Sequence, residues 1–563
     1  MAHADITTAK EFVMLTTPSL VKVIIAATLA AALILAGCGP APEEEKPQDQ
    51  KAEQAKPAAV QPVSVKDAFV FESYGTVRTL DPACAYDNVS HQRIQNIYEP
   101  LIAFDGSATD AFIPMLAKEV PTVENGGVTG DGTVYSFTIR EGVRFHEGGE
   151  LTAEDVAYSL KRHMVVDQDG GPMWMMLQAV AGVSSTRDAD GNVLPGIFET
   201  IDKAVTVDGD TVRLSLPRAF PPLLSVLAYS YGGIIMDKEW AVENGCWNGD
   251  MSTAAAHNNP AFGSEPLQRI ANGTGAYKLA KWEPSVSFIF ERFDGYWNGA
   301  PAVKTAIFRY NKEWSSRKLA LQNGDADRVA VDQQFMPEVQ NMQGVKVFTV
   351  PQLSVSAALF CQEVNPEGNP NIGSGKLDGE GIPTNFFSDI HVRRAFLHAF
   401  DRDAYAADVW NNQVVMPTSP NARGLPFHKD VPVYKFDLGM AAKEMKEAFG
   451  GEVWEKGFKM VITHNTGNAQ REAAARMLAN NINSLNPKFQ VEVRNMAWKD
   501  YTVAYRKYAF PVFLIGWGAD YPDPDNFMHT FMSSEGVYGK YMAYKNDEVD
   551  RLTREARFEL DPA

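Results

Sequence analysis

Apolar and polar positions divide the chain into an N-terminal apolar block, a polar tract and a long body in which strand and helix periods alternate. In the body, Tyr135, Phe137 and Ile139 alternate with Ser136, Thr138 and Arg140, the period-two pattern of a half-buried strand. Glu141-Gly142 then marks a turn, and Val143-Arg144-Phe145 is predicted to return as a second strand. Thr152 is placed to cap a helix with Glu154 and Asp155 in its first turn and Val156, Leu160 and Met164 as an apolar stripe. Between Asn311 and Val331 a helix is predicted to end at Asn323-Gly324, with a strand following near Val329. A second amphipathic helix is predicted from His391 to about Trp410, with Val392, Ala395, Phe396, Ala399 and Phe400 on one face. The runs FKMVITHN, QREAAARMLANNI and FQVEV, within Gly457 to Val493, give strand, helix and strand, an α/β unit.

That unit feeds the apolar run Pro511 to Ile515, which is short, bounded by Gly and predicts a buried strand. The segment that follows, GWGADYPDPDNF from Gly516 to Phe527, turns abruptly acidic and aromatic. Pro522 and Pro524 lack backbone donors and push the preceding residues into extended geometry, so no regular element continues there. An irregular loop at the carboxyl end of a buried strand is where open α/β sheets bind ligands. Asp520 is therefore predicted to be a ligand-binding carboxylate, flanked by Trp517 and Tyr521, which either line the cleft or pack in the core. Asp525 is expected to cap the helix that follows and Asp523 to serve a turn. A calcium loop is excluded, because neither its Gly nor its distal Glu falls in register.

Composition sets the scale. At 563 residues, with 45% hydrophobic and 22% charged, the chain exceeds one ordinary core and implies at least two lobes. Its 52 basic against 70 acidic side chains, net −18, argue against nucleic-acid binding. The uncharged run Val23 to Ala36 is shorter than the roughly 20 residues a membrane-spanning helix needs, but suits a signal peptide. It leads into Leu35-Ala36-Gly37-Cys38, which resembles the bacterial lipoprotein box and makes Cys38 the expected lipidation site. The segment from Gly39 to about Pro62 has too few large apolar residues to offset chain entropy and is expected to be a disordered tether. Cys84, Cys246 and Cys361 show no metal spacing; one disulfide among them or buried thiols both fit. His146-Glu147 reads as a hairpin turn, and the GTG at Gly273 precedes a strand, so it makes no anion site. GSGK at Gly373 is followed by Leu377 where a P-loop needs Ser or Thr. No GxSxG, HExxH or nucleophile–base pair is present, so no enzyme, metal or cofactor is expected.

Several motifs occur together in one order: TLDP at Thr79, NIYEPL at Asn96, RFHEGGELTAEDVAYSLKRH at Arg144, GTGAYKLAKW at Gly273, FERFDGYWNGAP at Phe290, VRRAFLHAFDRD at Val392 and the acidic loop. Over roughly residues 67–560 the chain resembles the bacterial extracellular solute-binding protein family 5, the oligopeptide- and dipeptide-binding lipoproteins of ABC importers. The resemblance implies an α/β, two-lobed periplasmic-binding-protein fold of type II, in the large peptide-binding class, with a ligand cleft between the lobes and a hinge. It implies a signal peptide at 1–37, a lipid-anchored tether at 38–62, lobe I at 63–310, lobe II at 311–535 and the start of a return to lobe I at 536–563. Family members continue for a further helix and strands, so a truncated C-terminus is expected. In the family, the Asp at the place of Asp520 pairs with the ligand's α-ammonium group. The implied function is capture of a peptide and its delivery to permease subunits served by a cytoplasmic ATPase. The implied receptor is a monomer at the periplasmic or cell-surface side of a membrane. Near His464-Asn465-Thr466, dipeptide-specific relatives carry an Arg for the peptide carboxylate, and no counterpart is evident here. The alternatives are the same fold holding an oligosaccharide, a metal chelate or haem, and an extracytoplasmic hydrolase using Asp520, Asp523 or Asp525.

Overall fold

A computed structural model describes residues 67–560 except 189 and 230; the apolar run, Cys38 and the tether lie outside the described residues. Two sheets dominate. The first has five strands in the order Arg328–Val329, Ala68–Ser73, Thr305–Tyr310, Ser287–Arg292 and Tyr277–Glu283. Ala68–Ser73 runs parallel to both of its neighbours, and the last three strands are antiparallel. Phe288, Phe290 and Phe308 meet on one face, with ring centroids 4.9 and 5.5 Å apart, over a core that includes Tyr98 and Trp247. Aromatic pairs of this kind are what hold neighbouring strands in register. This sheet reaches Val329, beyond residue 311, where the second lobe was expected to begin.

Three of the dispersed motifs converge on one buried carboxylate. Glu99 accepts hydrogen bonds from Thr274 Oγ1 (2.7 Å), Tyr296 Oη (2.7 Å) and Trp297 Nε1 (2.9 Å). His146 Nε2 pairs with the Gly275 carbonyl at 2.8 Å, so the His146-Glu147 turn is tied to the same corner.

The predicted strand forms as Val134–Thr138, with Tyr135 and Phe137 buried, but its partner is Thr211–Ser215 rather than residues 143–145. Val143-Arg144-Phe145 makes no strand; Arg144 forms only an isolated bridge to Glu150. The cause is local. Leu151 N bonds Val143 O and Phe145 N bonds Gly149 O, which closes the segment on itself while Val143 and Phe145 point into the core. The helix Ala153–Val166 follows as predicted, with Thr152 and Asp155 in a reciprocal capping box.

The second sheet has the order Ser354–Phe360, Val512–Gly518, Phe458–Asn465 and Phe489–Met496. The strand–helix–strand unit is present, with Ala469–Leu485 as its helix. Val512–Gly518 pairs along its whole length with Ser354–Phe360, but with Phe458–Asn465 only at Val512 and Phe513. Beyond that fork, the Tyr501 hydroxyl bonds both the N–H (2.8 Å) and the carbonyl (2.9 Å) of Leu514, and Tyr538 Oη donates to Gly516 O at 3.1 Å. The helix expected from His391 to Trp410 is broken: Ile390–His398 ends, and Asp401 caps a new turn by accepting from Ala404 N at 3.0 Å. A short side chain that offers the backbone this alternative bond competes with helix continuation. Among the described residues no helix is long and apolar enough to cross a membrane.

Candidate functional site

The acidic loop is held by Asn526. Its Oδ1 accepts from Asp520 N (3.0 Å) and from Trp517 Nε1 (2.8 Å), which fixes the turn that follows Val512–Gly518. The helix after it runs Pro524–Met532, and its cap is Asp523, which accepts from Asp525 N at 2.8 Å. This corrects the expectation that Asp525 is the cap. Pro524 occupies the first helical position, where a missing N–H costs nothing and the fixed φ suits the helix, so the cap falls one residue before it. Asp525 instead accepts from Tyr521 Oη (2.8 Å) and pairs with Arg557 Nε (2.7 Å).

Asp520 is 7% exposed. Its Oδ2 accepts from Tyr86 Oη at 2.8 Å, and Asn526 Nδ2 lies at 3.5 Å. Tyr86 precedes the helix Asn88–Ile97 of the first lobe, accepts from Trp174 Nε1 at 3.1 Å and sets its ring edge-on to Tyr231. No Lys, Arg or His among the described residues forms an ion pair with Asp520. Burial pushes its carboxyl up to about 7, against the opposing hydrogen bonds from Tyr86 and Asn526.

Of the residues expected at the site, Asp520 stands at its centre and Trp517 stands beside it, half-buried, edge-on to Tyr538 and anchoring Asn526. Tyr521 is turned away: its ring is buried in the first lobe's core and its hydroxyl is on Asp525, so here it packs rather than lines the site. Cys84, Cys246 and Cys361 are free and buried. Among the described residues no group of three His, Cys, Asp or Glu is arranged to hold a metal ion.

Sequence reasoning passed over Tyr86, Trp174 and Arg471. Arg471 lies in the first turn of Ala469–Leu485, whose cap Asn468 accepts from Arg471 N at 2.9 Å. Its Nη1 donates to Asn465 Oδ1 at 2.7 Å, and a Cβ added at Gly516 would lie 3.3 Å from its Nη2. Burial lowers its pKa, and it makes no ion pair with a described carboxylate. The Tyr538 hydroxyl is within electrostatic reach of both Arg471 and Asp520. The available signals were the Asn468 cap just ahead of an Arg and the small Gly516 beside it. Neither reveals that the cation lacks a carboxylate.

The family described as "Bacterial extracellular solute-binding proteins, family 5 Middle" matches residues 111–539. The dipeptide-binding protein of Escherichia coli is 25% identical over 456 residues, covering 78% of this chain and 73% of that protein. Heme-binding protein A of Haemophilus influenzae is 22% identical over 539 residues, covering 94% and 87%. Among solved structures, the periplasmic binding protein DppA from Helicobacter pylori, in complex with the peptide STSA, aligns with TM-score 0.64 at 20% identity, covering 88% of this chain and 87% of that one. The oligopeptide-binding protein AppA from Bacillus subtilis, in complex with a nonapeptide, aligns with TM-score 0.62 at 20% identity over 88% and 87%. The fold is the two-lobed, type II periplasmic-binding architecture.

Proposed function

The chain belongs to the bacterial extracellular solute-binding proteins, family 5, and on that footing we propose that it captures a peptide between its lobes and delivers it to the permease of an ABC importer. The observation that carries this reading is Asp520, a buried carboxylate with a tyrosine hydroxyl but no cation. A carboxylate taken out of water without a countercharge is costly, and the described residues supply none, so a ligand ammonium group is the natural complement. Closure of the lobes around it excludes water and strengthens that charge-assisted bond. Arg471, within electrostatic reach of the same Tyr538, offers the opposite charge to a ligand that carries both. An extended peptide fits such a pair, and its backbone can pair in strand fashion with limited side-chain selectivity.

In this account acylated Cys38 and the tether of residues 38–62 hold a monomeric receptor at the outer side of a membrane. The permease and its cytoplasmic ATPase receive the ligand. No catalytic step is assigned: the relatives are named as binding proteins.

The match along 94% of this chain to a haem-binding protein favours one second reading, the same cleft holding haem or another chelate. Protein purified from cells, denatured in acid and examined by mass spectrometry separates the two. Released intact peptides support the first, and haem, a metal chelate or a sugar overturns it.

A further inference from the structure

We propose that Tyr86 is the positioning residue that holds Asp520 in its ionised form, and so sets the lower pH limit at which the closed site accepts an amine. The consequence for binding rests on the ammonium role of Asp520 proposed above; the effect on Asp520 itself does not.

The geometry fixes where the Tyr86 proton points. An indole N–H only donates. Trp174 Nε1, 3.1 Å from Tyr86 Oη, therefore uses a lone pair of that oxygen. The hydroxyl's single proton is left for the acceptor on its other side, Asp520 Oδ2 at 2.8 Å. A carboxylate accepts such a bond and a protonated carboxyl competes with it, so the arrangement favours the charged form. The ring is kept in place by edge contact with Tyr231, whose centroid is 5.2 Å away, and Tyr231 is in turn packed against His91 and Tyr229. Tyr86 lies in the first lobe, and the acidic loop carrying Asp520 packs its next residue, Tyr521, into the core beside it. The bond therefore joins segments 434 residues apart in the chain.

The surroundings leave this task to Tyr86. From the first lobe, Asp520 is faced by Tyr86, Tyr229 and Tyr231, and from the second by Tyr538, Asn526 and Trp517. His91, behind the tyrosines, is pushed down to about 4 by burial and is neutral across the relevant range. Asp87 caps the helix next to Tyr86. On the loop itself, Asp525 is committed to Arg557, and burial pushes Asp523 up to about 6. Burial drives the Asp520 carboxyl towards neutrality, and the Tyr86 hydrogen bond is the largest opposing effect. A site so balanced changes charge within the ordinary extracellular pH range.

The test is carbon-13 NMR of carboxyl-labelled aspartate in the whole protein, with the Asp520 signal identified by its loss in Asp520→Asn. Wild-type Asp520 should titrate near neutrality. Tyr86→Phe, which keeps the ring, should raise that midpoint by about one pH unit, the scale of one hydrogen bond to a charged group. Trp174→Phe, which frees the hydroxyl proton to turn away, should raise it by less. An Asp520 midpoint unchanged in both variants overturns the inference. Calorimetry with trialanine probes the other premise: Asp520→Asn protein that binds trialanine as tightly as wild type sinks the ammonium reading and leaves the titration result standing.

Discussion

Two buried aspartates show how differently one chain can treat the same group. Asp81, in the first lobe's core, is fully buried and meets Arg162 in a two-pronged pair, Oδ1 to Nη1 at 2.9 Å and Oδ2 to Nη2 at 2.6 Å. Its Oδ1 also accepts from Ala83 N at 3.0 Å. Burial alone would raise its pKa, but the guanidinium and these hydrogen bonds outweigh it and hold the carboxyl below its usual range. Asp520 is almost as buried, has no such partner among the described residues, and its pKa moves the other way. A carboxylate completed inside the protein is architecture. One left incomplete fits the ligand role proposed for Asp520.

The contrast can be broken most severely from its completed half. Arg162→Met strands Asp81 as a lone buried charge, and a loss of about 3–5 kcal/mol in urea-unfolding stability is expected. At the incomplete half, Asp520→Asn should leave stability unchanged or raise it. Binding of free-amine peptides should weaken by about 2–5 kcal/mol, roughly 30- to several-thousand-fold by calorimetry. Arg471→Gln is smaller: about a tenfold loss for peptides with a free carboxylate and little for their C-terminal amides, since this guanidinium is only half-buried.

The pH slope of stability should also differ, with opposite signs at the two aspartates. The folded pKa of Asp81 is depressed, so its contribution is present above the unfolded value of about 3.9 and is lost as pH falls through the folded pKa. The folded pKa of Asp520 is raised, so it penalises the closed form above about 7, and the penalty is relieved as pH falls towards 4. Comparing urea midpoints between pH 5 and 8, Asp520→Asn should lose that relief. An unchanged slope in the variant would place the titration elsewhere.

Much of the scaffold was legible because periodicity and capping are local. Thr152 caps as its position implies, and Val512–Gly518 and the strand–helix–strand unit fall where the apolar runs do. What failed depends on competition or distance. The partner of Val134–Thr138 comes from beyond residue 210, and the Asp401 side chain outbids helix continuation within a single turn. Asp520 was singled out as a candidate from its loop alone, but Tyr86, 434 residues away, could not be placed beside it by any local pattern. Arg471 was missed because its distinguishing property, a cation without a carboxylate, is a fact about space.

The fork in the second sheet has a different kind of consequence. Once Val512–Gly518 parts from Phe458–Asn465, its backbone would present an open edge of the sort that recruits other chains into continuous sheets. The hydroxyls of Tyr501 and Tyr538 occupy that edge at Leu514 and Gly516 and stand in for the absent strand. The sheet can therefore splay at this point without leaving those backbone groups unpaired, and Tyr501→Phe should cost stability by stranding the buried Leu514 N–H and carbonyl.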